Sequence, residues 1–427
     1  MLKLWQFSRL QLINNFLTNN RIVIYVILFS TSLYQKIRLI NFVEFKDDQR
    51  FGNNVIQHCQ IKSLDLNNLD FLYSRSSSGF PQGPFHWSPE CFAGLIGISE
   101  YTVFLVVKIF FSQIIIFVIA HLIKNKFSEL ELLSFLLLVL FNPYLIISSR
   151  NTSIAYGYEF LIVIYVYLIL NMNKSKKHSM FYGAYSFFTL VFYFPYFIFI
   201  NSINCILFLT NYFKEKAYFV FGNIIGLTLS IISYIPYLLK DRELELYDRA
   251  GSWGLTSYWR INLSAISGES LNYKINSVND IDALILLFPN YTNLHKINYF
   301  LITFLLILSL INFLKSYKLN NFNVFNNVFL ISFTLTGVLY TLLDVPLYPH
   351  YFFFNILISF IFIVKNVQPK FLLLLVSFIF VLVSNVIVQS FHSFIQEYDG
   401  AHSSDYGKSY NVCGCCVDQV KICRGQQ

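Results

Sequence analysis

The chain has 427 residues, of which 56% are hydrophobic and 19% aromatic; only 13% are charged, and mean hydropathy is +0.54. A soluble domain carries about a quarter charged residues, so this composition excludes a water-coated globule. The apolar runs are continuous rather than alternating, which excludes an outer-membrane barrel. The net charge of +8 sits in short lysine clusters between apolar runs, a pattern of topology control, and no nucleic-acid partner is expected.

In chain order, the runs near bilayer length predict an all-α polytopic membrane protein. The first span is Arg21–Ile40, after a polar and basic leader without a small-residue cleavage site, so it is expected to be retained. After a polar segment come Tyr101–Ile123, Leu130–Ser148 and Ile154–Leu170. The run Met180–Phe213 is too long for one helix and carries Pro195 near its middle, which predicts two short helices joined by a tight turn. Ala217–Leu239 follows, and after a second polar segment come Ile297–Leu314, Val324–Leu343, Tyr351–Val364 and Phe371–Gln389. The total is eleven transmembrane helices.

Charge supports that count. Lys3, Arg9 and Arg21, then pairs or triplets at Lys124/Lys126, Lys174/Lys176/Lys177, Lys214/Lys216, Lys315/Lys318 and Lys365/Lys370, all fall on one side if the N-terminus is cytoplasmic. Residues 41–100 and 240–296 are then two long outer loops carrying interfacial helices. Residues 1–391 form one transmembrane domain, and 392–427 form a cysteine-rich tail on the outer side. Lys36 and Arg38 do not fit, because they lie at the outer end of the first span. They are expected to snorkel or to line a polar cleft.

Chemistry is expected in the outer loops. The first opens on FKDDQRFGNN, in which Asp47 and Asp48 are adjacent, so on a helix only one of them can face a given pocket. One can serve as a general base near the headgroups; the alternative is a solvated loop or a cap for an interfacial helix from Gln49. GFPQGPFHWSPECFAGLIG, residues 79–97, holds three prolines and an aromatic cluster, and is expected to be re-entrant or interfacial, with His86 and Glu90 as its polar groups. In the second loop, Trp253, Tyr258 and Trp259 interleave with Arg249 and Arg260. That pattern fits either sugar stacking or a helix lying on the membrane.

Cys413, Cys415, Cys416 and Cys423 crowd the tail in a spacing that fits no zinc site; no metal centre is expected, and disulfides are the favoured state outside the cell. Asn151, Asn262 and Asn290 head N-x-S/T sequons, which an asparagine-rich chain also produces by chance. The sequence carries no Walker loop, GxGxxG or HExxH.

The order of these features resembles the GT-C superfamily of integral-membrane glycosyltransferases, nearest the protein O-mannosyltransferase and lipid A aminoarabinose transferase group. The residues that carry the likeness are Asp47-Asp48-Gln49 early in the first outer loop, Gly83-Pro84-Phe85-His86-Trp87 before the second span, Asn142-Pro143 closing the third with Ser148-Ser149-Arg150 after it, and His350-Tyr351 opening a late span. The chain departs from that pattern in having Asp48 where Glu is usual and His350 where Arg is usual. The resemblance implies transfer of a sugar from a polyprenyl-phosphate-linked donor to a lipid, glycan or protein acceptor, at the outer face of a bacterial inner membrane. By that analogy Asp47 or Asp48 is the base. Arg50, Arg150, Arg249, Arg260 and His350 are the cations for the donor phosphate, with His86, Glu90, Trp253, Trp259 and Tyr351 completing substrate binding. No organic cofactor is implied, and a divalent metal is left open. The alternatives are an O-antigen or polysaccharide polymerase, which would rely on Arg249 and Arg260, and a lipid-linked oligosaccharide flippase or transporter.

Overall fold

The computed structural model describes residues 15–38, 40, 55–57, 59–60, 88–149, 158–210, 212–238, 254–274, 278–316, 324–342, 347 and 349–397. All regular structure among them is helical. The helices are α1 (Arg21–Ile37), α2 (Ser88–Leu95), α3 (Tyr101–Ile123), α4 (Glu129–Leu140), α5 (Pro143–Ser148), α6 (Tyr158–Asn171), α7 (Lys176–Phe192) and α8 (Phe194–Leu209). Then come α9 (Lys216–Leu238), α10 (Leu255–Ser267), a 3-10 turn Glu269–Lys274, α11 (Val278–Leu287), α12 (Tyr291–Ser316), α13 (Val324–Phe333) and α14 (Leu335–Leu342). A second 3-10 turn, Pro349–Phe352, leads into α15 (Phe353–Asn366), and α16 (Lys370–Glu397) ends the described chain.

Local chemistry sets the breaks. Ser128 and Glu131 form a reciprocal capping box that starts α4. Asn142 caps α5 through Leu145 N, with Pro143 in the first turn where a missing N–H costs nothing. The break expected within Met180–Phe213 falls at Tyr193, an extended residue just before Pro195. α10 stops at Gly268, whose φ of +86° suits glycine and whose Cβ would lie 2.4 Å from the Pro143 ring. The expected third span is two helices, α4 and α5, and Val324–Leu343 is likewise interrupted at Thr334. α12 starts at Tyr291, ahead of Ile297, and α16 continues beyond Gln389 to Glu397.

Six helical segments among the described residues are long and apolar enough to cross a bilayer; Glu159–Asn171 and Phe194–Leu209 are shorter apolar ones. Exposure is inverted relative to a soluble bundle. Ile22, Phe221, Phe300 and Leu382 point outward from α1, α9, α12 and α16, each more than half exposed. Inside, every residue of α15 from Phe353 to Val364 is buried, as is α4 from Leu130 to Leu140. These two helices form the axis of the bundle, and the others wrap them.

Side-chain contacts fix the relative directions. α1 runs parallel to α4 (Arg21 on Glu129, Ser32 on Leu140 O) and antiparallel to α3 (Tyr25 on Phe117, Phe29 on Phe110). α6 opposes α7 (Phe160 on Phe192, Tyr167 near His178), and α8 opposes α7 (Tyr182 on Asn204, Phe187 on Phe197). α8 also opposes the α13–α14 pair through Ser202–Thr336 and Phe199–Tyr340. α12 is parallel to α15 (Ser309 to Ile363 O, Asn312 to Asn366 O), which opposes α13 (Phe329 on Phe362, Asn366 to Asn326). Lys370 meets Glu131 at the starts of α16 and α4. Taken in order, α1, α3, α4, α6, α7, α8, α9, α12, α13–α14, α15 and α16 alternate in direction throughout.

The closest packing joins α7 and α9, which are parallel. Ser230 donates to Phe187 O and Tyr234 to Leu190 O. A Cβ on Gly222 would lie 2.0 Å from Met180 O, one on Gly226 2.2 Å from Ala184 O, and one on Gly183 2.2 Å from Phe219 O. Small residues four apart let the backbones touch, and in lipid such packing must supply the association that water supplies elsewhere. Gly226→Ala should therefore push the helices apart. The expected loss is about 1–3 kcal/mol, read as a lower thermal midpoint of the detergent-purified protein, while Ala184→Gly leaves the contact intact.

Candidate functional site

The end of the bundle where α1 finishes collects buried polar groups. Lys36, in the last turn of α1, is 1% exposed. Its ammonium donates to Gln113 Oε1 on α3 at 2.9 Å, and Ser32 Oγ lies 3.2 Å from Leu140 O on α4. Ser112, beside Gln113, donates to the buried carboxylate of Glu159 in the first turn of α6, and that carboxylate lies within electrostatic range of Lys36. Of the two expectations for Lys36, snorkelling is corrected and the polar cleft holds: it points inward and is part of a polar cluster linking four helices. Gln35, one residue earlier, bonds Asn385 on α16, and Ser384 accepts from Asn298 on α12 at 2.9 Å. One turn from Asn298, His295 is 2% exposed, and neither ring nitrogen finds a hydrogen-bond partner among the described residues. Its ring packs edge-on against Tyr291.

Two pieces of the long polar segments, 41–100 and 240–296, pack at this end. Cys59 and Cys91 form a disulfide that ties the short helical segment around Val55–Cys59 to α2. Ile40, Ile56, Ala93 and Tyr101 pack together beside it, joining the end of α1 to the start of α3. The second piece is α10, which packs against α12, α14 and α15. Tyr258 donates to Ser332 O and receives Asn355 Nδ2 at 3.3 Å. Burial pushes the Tyr258 hydroxyl well above its usual pKa, so it remains a neutral donor. At the other end of α10, Asn142 Nδ2 donates to Ile266 O at 2.8 Å and to Ala265 O at 3.3 Å. The cap of α5 thereby satisfies the last carbonyls of α10.

The expected site residues divide into those the structure describes and those outside it. Asp47, Asp48, Arg50, His86, Arg150, Arg249 and Trp253 lie outside the described residues. Glu90 is in the first turn of α2 and fully buried in the α2–α3 cluster. Trp259 and Arg260 lie on the exposed side of α10, and the Trp259 indole N–H donates to Phe333 O at 2.9 Å. His350 and Tyr351 form the 3-10 turn before α15; their rings are 4.7 Å apart, and Tyr351 meets Tyr193 at the α7–α8 corner. Tyr258 and Phe352 stack edge-on at 5.1 Å, so α10 and this turn are adjacent. Trp259, Arg260, His350 and Tyr351 are therefore carried on neighbouring elements, whereas Glu90 belongs to the cluster around α3.

The second-loop alternatives are answered in part, because α10 is a helix with one face, Tyr258, Asn262, Ala265 and Ile266, sunk into the bundle. Asn262 is fully buried, which removes its sequon from any glycosylating enzyme, while Asn290 is exposed. Sequence reasoning missed the Cys59–Cys91 pair, Gln113 and His295. A glutamine in the middle of an apolar run and a histidine at the mouth of another were the available signals. The Lys36–Glu159 attraction makes a double-mutant cycle informative. Lys36→Met and Glu159→Gln should each destabilise the protein. The pair should be less destabilised than the sum of the two, by about 0.5–3 kcal/mol, as read by denaturation in detergent.

Comparison of the chain with protein-family models, with characterised proteins and with solved structures gives no match.

Proposed function

We propose that the chain is a glycosyltransferase of the outer membrane face. In this reading it crosses the bilayer eleven times from a cytoplasmic N-terminus, and it moves a sugar from a polyprenyl-phosphate donor to a lipid, glycan or protein acceptor. The observation that carries the proposal is convergence at one end of the bundle. Ile40 and Ile56, which flank the segment containing Asp47 and Asp48, pack at the end that holds Lys36, Glu159, α10 and the His350–Tyr351 turn. The unbroken alternation of helix directions supports the eleven crossings. The lysine pairs of residues 124–126, 174–177, 214–216 and 365–370 all fall at the opposite end, which supports the orientation.

The chemistry follows from charge. As the acceptor oxygen attacks the anomeric carbon, its proton passes to an aspartate carboxylate, and the C–O bond to the lipid phosphate breaks. Negative charge grows on that phosphate, so cations at the headgroup plane stabilise the transition state more than the ground state. In this reading Arg260 and His350, among the described residues, supply these cations, with Arg50, Arg150 and Arg249 as their expected companions. A single in-line displacement inverts the anomeric centre.

A second reading, a flippase or transporter of a lipid-linked sugar, is favoured by the buried ionisable groups Lys36, Glu159 and His295 inside the bundle. One experiment separates the two. Membranes carrying Asp47→Asn or Asp48→Asn at equal protein level are supplied with polyprenyl-phosphate sugars and assayed for transfer. The transferase reading expects one variant to lose about 100-fold or more and the other to retain activity. Full transfer by both would remove it, and movement of donor across vesicles without transfer would install the transporter. The topology has its own test. A reporter fused at the C-terminus should be active only on the outer side, opposite to one fused at the N-terminus.

A further inference from the structure

A groove of about 750 Å3 opens on the side of the bundle between α3, α6, α7 and α9. Its walls include Val118, Leu122, Val163, Tyr167, Phe181 and Phe188, and they are almost wholly apolar. Along α7 the lining runs from His178 to Phe188, roughly 15 Å at 1.5 Å per residue. That is the shape of an acyl chain, and the groove lies within helices whose exposed faces are apolar.

What the groove leads to is charged. His178 lines its lower end, with Ser175 Oγ 2.8 Å from its Nδ1. Lys124 follows Leu122 by two residues, Lys174 lies in the turn between α6 and α7, and Lys176 and Lys177 open α7. Lys126 lies close enough to Lys174 and Lys365 for like-charge repulsion. The three chain turns at this level, residues 124–128, 172–175 and 210–215, contain one acidic residue, Glu215, against four lysines. Glu129 and Glu131, at the start of α4, already pair with Arg21 and Lys370. Lys126, Lys174, Lys176 and Lys177 are exposed, so together they form a positive patch that favours an anion from outside the chain.

We propose that this groove is a binding site for an anionic phospholipid. One acyl chain lies along α6 and α7, and the headgroup phosphate sits among Lys124, Lys174, Lys177 and His178. The inference requires that the bundle lie in a bilayer and is independent of the transferase reading. Its physical basis is the sum of two terms, chain burial in a dry groove and attraction between a phosphate and clustered ammonium groups.

The test uses the full-length protein in detergent, incubated with equal amounts of phosphatidylglycerol and phosphatidylcholine of identical chains and examined by native mass spectrometry. Wild type should retain phosphatidylglycerol preferentially, by about fivefold for each lysine in contact. Lys124→Gln/Lys174→Gln/Lys177→Gln should bring retention of the two lipids level. Val118→Trp, which fills the groove from α3, should lower retention of both. Equal retention of the two lipids by wild type overturns the proposal, as does a triple variant that keeps the preference. The wild-type comparison decides the matter even if a variant fails to accumulate.

Discussion

An ammonium group with 1% exposure is the constraint around which the α1 end of the bundle is built. In an apolar interior a charge cannot be left to water, so Lys36 must be met by oriented oxygen. Gln113 supplies it from α3, and that choice fixes where α3 stands relative to α1. Ser112 is the next residue, and it holds the Glu159 carboxylate at the head of α6. Ser32, one turn before Lys36, reaches Leu140 O at the last turn of α4. Together with the Arg21–Glu129 ion pair at the far end of α1 and α4, this cluster pins the register of four helices whose other contacts are largely apolar.

The second organising fact is that two helices never meet the outside. α4 and α15 are buried along their whole length, although nothing in their composition separates them from lipid-facing helices. Their ends show how the chain seals them. Lys370 bonds Glu131, Val364 O and Lys365 O, so it neutralises the start of α4 and the exposed carbonyls at the end of α15 together. Lys365 donates to Lys126 O at 2.6 Å, joining the same two ends. At the other pole Tyr144 packs on Phe353, and Asn142 holds α10 across the bundle.

How much of this was legible in sequence depended on whether a residue type acts alone. Pro195 forces a break wherever it stands in a helix, and the division into α7 and α8 was readable from it. Lysine clusters mark the ends of the apolar runs, and the helices of the structure begin and end near them. Thr334 carries no such signal; the interruption between α13 and α14 is a tertiary matter, set where α10 places Tyr258 against Ser332. The Cys59–Cys91 pairing could not be read from two cysteines 32 residues apart in a chain with seven. For the site, the structure puts His350, Tyr351, Trp259 and Arg260 on neighbouring elements, a proximity that ninety positions of intervening chain conceal. The burial of Glu90 on α2 was likewise invisible from spacing alone. A polar cleft around Lys36 was one of two readings open in the sequence, but its partner, seventy-seven positions away, could not be read.

The parallel contact between α7 and α9 has a consequence for how the protein is made. Gly183, Gly222 and Gly226 mesh two helices that point the same way, with antiparallel α8 between them in the chain. When α7 leaves the insertion machinery, its tightest neighbour has not yet been synthesised. The adjacent helix, α8, covers another side and cannot stand in for it. For that interval α7 offers a bare backbone stripe to lipid, which bonds nothing to it. Assembly of this half of the bundle is therefore not stepwise, hairpin by hairpin, but waits for a third helix to arrive and lock the first.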